Sequence, residues 1–96
     1  MLSGKQRRYL RGLGHHLDPV VQVGKDGLTD GLVAATDAAL LQHELIKVRL
    51  TENAPGDRHE VAAALAAATE SELVQVLGRT LLLYRRREDE PAIKLP

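Results

Sequence analysis

The stretch "ELVQVLGRTLLLYRR", Glu72 to Arg86, decides the fold. Two apolar runs flank Gly78-Arg79, and a glycine that opens a two-residue loop suits a type II′ hairpin turn. The stretch therefore reads as two strands paired antiparallel. Its second half carries Leu81, Leu82 and Leu83 in succession. A continuous apolar run of this kind points to a strand buried on both sides or placed centrally in its sheet.

The segments before the hairpin supply the rest of the sheet. "ELIKVRL" (Glu44 to Leu50) alternates, with Ile46, Val48 and Leu50 on one side and Lys47 and Arg49 on the other. "VVQV" (Val20 to Val23) is a short run rich in β-branched residues, set off by the break at Asp18-Pro19. Helices separate these strands. Ser3 and Gln6 have capping-box spacing and open a helix that ends near Gly14. Thr29 is the expected N-cap of a second helix, stapled by Leu28 and Val33 and running to Gln42 or His43. Asp57 and Glu60 form a second capping box and open an alanine-rich helix to about Thr69. Val61, Ala64, Leu65 and Ala68 are spaced as its apolar face.

The element order is thus α-β-α-β-α-β-β. Two β-α-β units imply parallel pairing with right-handed crossovers, and the hairpin adds an antiparallel pair. The expected fold is α+β, a two-layer sandwich of one mixed four-stranded sheet with helices on one face. Residues 1–87 are expected to form a single domain. Residues 88–96, charged and containing Pro91 and Pro96, read as a frayed or loosely docked tail.

Composition narrows the function. The 96 residues suit one domain, and the 44% hydrophobic content supports one core. There is no Phe or Trp, and the aromatics are Tyr9 and Tyr84. The core is therefore aliphatic, and the composition argues against a function needing several aromatic stacking platforms. Without cysteine, disulfides and thiolate metal sites are excluded too. No 18-residue apolar run or leader pattern is present, so a cytoplasmic protein with no membrane partner is expected. The formal net charge is +0, which argues against a general nucleic-acid binder, but the charges are segregated. Lys5, Arg7, Arg8 and Arg11 lie in an opening segment without acids, and Arg85, Arg86 and Arg87 form a second basic run. The acids gather elsewhere, with Glu88, Asp89 and Glu90 directly after that run. Such a chain can present one basic and one acidic face.

"VQVGKDGLTDGL", residues 22–33, places Gly24-Lys25-Asp26-Gly27 between a strand and a helix. Two readings are open. The glycines either supply positive φ for a tight turn, or admit a phosphate to the backbone beside the unpaired first-turn amides of the helix. No Walker or dinucleotide pattern is present. Lys47 and Arg49 are likewise either a solvated face or part of a basic surface.

Taken together, "PVVQVGKDGLTDGL", "HELIKVRL" and "VQVLGRTLLLYRR" resemble the YhbY family of small bacterial proteins. These are stand-alone CRM domains, a module also found in plant organelle splicing factors and in bacterial ribosome maturation. The resemblance runs from "LSGKQRRYLRGLGHHLDP" to the last strand. It implies a fold similar to the C-terminal domain of translation initiation factor three. It implies RNA as partner, with precursors of the large ribosomal subunit and the pre-ribosomal particle as its setting. The family's Gly-x-x-Gly loop, compared with the backbone clamp of KH domains, falls on Gly24, Lys25, Asp26 and Gly27. Its basic surface falls on Lys5, Arg7, Arg8 and Arg11, and on Lys47, Arg49, Arg79, Arg85 and Arg86.

Other constellations carry less. His15 and His16 are adjacent and point in different directions, and no third ligand accompanies them at helical spacing, so no metal is expected. His43 reads as a favourable charge at a helix C-terminus. No nucleophile–base pair stands out, and neither catalysis, a cofactor nor a small-molecule substrate is expected. Tyr84 reads either as a base-stacking residue or as the edge of the core. The function expected is RNA binding in large-subunit assembly. The alternative is a protein-interaction adaptor on the ribosome or its assembly factors.

Overall fold

The computed structural model describes all residues, 1–96. The elements are α1 (Gly4–Gly14), β1 (Pro19–Val23), α2 (Asp30–His43), β2 (Leu45–Leu50), α3 (Arg58–Ala68), β3 (Glu72–Leu77) and β4 (Thr80–Tyr84). The strands form one sheet in the order β1-β2-β4-β3. β1 pairs parallel with β2, and β4 pairs antiparallel with both β2 and β3. The α+β class and the mixed four-stranded sheet are those expected. β4 lies between two strands, which accounts for its continuous leucine run. Leu81 and Leu83 enter one core and Leu82 and Tyr84 another.

Local signals fix the helix starts. Ser3 and Gln6 form a reciprocal capping box. The Thr29 hydroxyl accepts from the Leu32 amide. The Asp57 carboxylate accepts from the amides of His59 and Glu60. In the hairpin turn Gly78 has φ +59 while Arg79 is not at positive φ, the combination that type II′ requires.

The two faces of the sheet are covered differently. α2 and α3 lie on one face over a cluster of 11 buried residues that includes Leu40, Val48, Leu65 and Leu83. α1 does not join them. It lies on the opposite face, where Leu10, Leu45, Val74, Leu82 and Tyr84 form a cluster of 5. The expected placement of every helix on one face therefore fails for α1. The reason is visible at Gly14, where a Cβ would meet the Leu82 side chain at 2.7 Å. Gly14 was expected as a helix stop, but it admits the helix end onto the sheet, and the C-cap is His15 in ordinary helical conformation.

One further expectation is corrected, and of the two readings of the tail one is found. The buried side of α3 is Ala62, Leu65 and Ala66, whereas Ala64 and Ala68 are exposed. In an alanine-rich helix several stripes have nearly equal apolarity, and packing selects among them. The tail is docked rather than frayed. Ile93 and Leu95 pack against the smaller cluster, and buried Glu44 accepts hydrogen bonds from the amides of Arg87 (2.9 Å), Ala92 (2.7 Å) and Ile93 (2.8 Å).

Candidate functional site

Because α1 and the docked tail cover only part of their face, the remainder of it is open. Leu45, Lys47 and Arg49 alternate onto it from β2, and Thr80 and Leu82 from β4. In β3 an irregularity between Leu73 and Gln75 sets both Val74 and Gln75 against Leu82. The result is a groove of about 390 Å³ between α1 and the sheet. Arg8, Arg11 and His15 form its helical wall, and Lys47, Gln75, Leu77 and Thr80 line its sheet side. No carboxylate lines it. The ion pairs of the molecule are Arg85–Asp37 and the N-terminus with Glu72, so Arg8, Arg11 and Lys47 have their charges free. Three unpaired cations around a concave surface favour a polyanion, through Coulomb attraction and charge-assisted hydrogen bonds.

The Gly24–Gly27 loop lies at one end of the same sheet. The Thr51 amide donates to the Val23 carbonyl, and Arg79 donates to the Thr51 carbonyl at 3.0 Å, which ties this loop to the hairpin turn. The Gly27 amide donates to the Gly24 carbonyl at 3.0 Å and closes a four-residue turn. The two glycines have different reasons. Gly27 has φ +68 and lies close to Pro55, so the turn requires it. Gly24 has no positive φ, and a Cβ there would meet nothing within 4 Å. Lys25 and Asp26 project at the tip, both exposed and neither in an ion pair.

The other candidate residues divide into surface and structural groups. Lys5, Arg8, Arg49 and Arg86 are exposed. Arg7 is half-buried and donates to the Leu73 carbonyl, fastening α1 to the edge of β3. Two expected RNA contacts are corrected. Arg85 is committed to Asp37, at 2.6 Å, and to the carbonyls of Thr69 and Asp37. Tyr84 is only 4% exposed, so its ring offers no face for stacking. Its hydroxyl has no partner. Burial pushes its pKa up, the Glu44 carboxylate adds to that, and Arg86 opposes it. Sequence separation hid both roles, since Arg85 meets Asp37 from 48 residues away.

Glu44 was not foreseen. It caps the C-terminus of α2 at φ +64, a backbone position that favours glycine. Burial alone would push its carboxyl up. The three amides and the charge of Arg87 outweigh that and hold it below its ordinary value. Arg87 also donates to the Leu41 and Gln42 carbonyls at the end of α2. The last arginine run is thus part scaffold, and of its members Arg86 alone is exposed.

The CRS1 / YhbY (CRM) domain family matches residues 2–85. The chain belongs to that family. Among its relatives is a Bacillus subtilis protein named "Probable RNA-binding protein YqeI", 44% identical with all of both chains covered. A Haemophilus influenzae relative named "RNA-binding protein" is 43% identical, over 99% of this chain and 95% of that one. The solution structure of SAV1595 from Staphylococcus aureus matches this CRM domain over the whole of both chains, with a TM-score of 0.85 at 45% identity. No helix of this CRM domain is long and apolar enough to cross a membrane.

Within the domain, His15, Gln75, Leu77 and Thr80 join the groove although nothing in their local sequence marks them. The available signal was alternation. Once Leu82 and Tyr84 are assigned to one face, Thr80 must share it.

Proposed function

We propose that this CRM domain binds RNA by its phosphate backbone, and that its target is precursor ribosomal RNA of the large subunit, met on pre-ribosomal particles in the cytoplasm. The observation that carries the reading is the groove between α1 and the sheet, with Arg8, Arg11 and Lys47 unpaired and no carboxylate in its lining. Relatives named as RNA-binding proteins support it. Residues 1–87 act as the binding domain, with 88–96 as its docked tail. Lys5 and Arg49 extend the positive surface. Lys25 and the backbone at Gly24 meet a neighbouring phosphate, with Asp26 turned away. The reading assigns no catalytic step and no cofactor.

With ~4–6 phosphate contacts, log affinity falls with log salt at a slope of roughly −3 to −5. Titration of a structured RNA fragment at several salt concentrations checks this, and an affinity indifferent to salt overturns it. In cells, crosslinking followed by sequencing of the bound RNA returns reads concentrated in large-subunit precursor. Reads spread evenly over cellular RNA remove the ribosomal assignment but leave RNA binding standing. Partners that survive RNase treatment in pull-downs favour the adaptor reading instead.

A further inference from the structure

On the same face, across the end of α1 from the basic groove, lies a second groove of about 410 Å³. Its character is different. Leu13, Leu17, Val20 and Leu45 make its surface apolar, and Ile93 of the docked tail closes one side. Leu13 and Val20 are among the few large hydrophobic side chains that the fold leaves exposed, Val20 at 52%. Its polar residues are Asp18, His43 and Lys47. Small-molecule sites occupy roughly 300–1,000 Å³ and combine apolar walls with a few orienting polar groups, as this groove does.

Lys47 lines both grooves. A chain whose phosphates lie along Arg8, Arg11 and Lys47 therefore reaches the mouth of the apolar groove at Lys47. What it can place there is a base. We infer that the apolar groove receives a single unstacked guanine of the RNA held by the basic groove, an inference that rests on the RNA-binding reading. The aliphatic walls take the two faces of the ring. Asp18 selects among bases. It is exposed, it takes part in neither ion pair, and an ionised carboxylate offers two acceptor oxygens. Guanine presents two adjacent donors, N1–H and the N2 amine, on its Watson–Crick edge. Uracil offers one imino donor between two carbonyl acceptors, which face the carboxylate unfavourably. Single-stranded segments expose these edges for such readout. A protein partner fits less well, because the groove is short and opens onto unpaired cations.

The test uses the full chain and fluorescence anisotropy with short single-stranded RNAs of equal length. One is all uridine, one carries a single central guanosine, and one carries inosine there, which lacks the N2 amine. The expected result is tighter binding of the guanosine RNA by about tenfold, within the range for one bidentate base contact, with inosine in between. Asp18→Asn removes the preference, while the all-uridine RNA still binds in a salt-dependent way and no more weakly than to the parent. Val20→Glu, at an exposed position, lowers affinity for the guanosine RNA more than for the uridine one. Equal affinity for the three RNAs, or a guanosine preference that survives Asp18→Asn, overturns the inference. In both cases salt-dependent uridine binding leaves the backbone reading intact. If no RNA binds at any salt, the RNA-binding reading fails first.

Discussion

The two faces of one sheet have been put to opposite uses. Under α2 and α3, 11 buried residues form the main core, and the exposed helix surfaces beyond them carry Asp30 and Glu60. Under α1, 5 buried residues suffice to hold the helix, and the remainder of the face is open and lined by cations. A chain of zero net charge can thus still gather unpaired cations on one face. The difference teaches that net charge is a poor guide to a partner when the fold sorts charges by face. The covered face provides stability, and the half-covered face leaves room for a ligand.

Removing the cations tests that division most severely. Arg8→Ala, Arg11→Ala and Lys47→Ala together are expected to lower RNA affinity by at least about 10³-fold, since each charge-assisted hydrogen bond contributes ~1.5–3 kcal/mol. The salt slope should shrink by about 3. The melting temperature should hardly move, because none of the three forms an ion pair. Glu60→Gln on α3 is the control for the other face and should leave RNA affinity within twofold. Comparable losses from both variants would break the contrast between the faces.

Glu44 is where the faces are joined, because it ends α2 on one side and holds the tail against the other. Glu44→Ala should destabilise the domain by roughly 2–4 kcal/mol, through amides left without an acceptor. The pH dependence follows from the direction of its shift. Its folded pKa lies below the ordinary value of 4.5. Its contribution is therefore complete above pH 4.5 and is lost as pH falls through the lower folded value. Melting curves of the parent and of Glu44→Gln should differ by a constant amount from neutral pH to about 4.5, and converge below it. A gap that instead widened on acidification would contradict the assigned direction.

The order of elements, the capped helix starts and the hairpin were legible because each rests on neighbours within a few residues. Ser3 with Gln6, Thr29 with Leu32 and Gly78 in its turn are such cases. The placement of α1 was not legible. It depends on Gly14 meeting Leu82, 68 residues later, and a glycine near a helix end reads locally as a stop. The site was half legible for the same reason. Basic residues could be counted, but whether each was free or bound to scaffold was decided by distant partners. Arg85 with Asp37 and Tyr84 in the smaller cluster are the two reversals. The groove itself needed the sheet order, which brings Lys47 beside Leu82.

The smallest effects sharpen the comparison within the loop. Gly27→Ala places a Cβ at φ +68 and 3.2 Å from Pro55, so a loss of about 1–2 kcal/mol of stability is expected. Gly24→Ala meets open space at ordinary φ, and stability should stay within about 0.5 kcal/mol of the parent. RNA affinity then separates the two reasons for a glycine. If a phosphate approaches the backbone at Gly24, the added methyl group stands between them, and affinity should fall several-fold in a domain that melts normally. If Gly24 serves the turn alone, affinity stays at the parent value, and the cations of the α1 face account for binding without the loop.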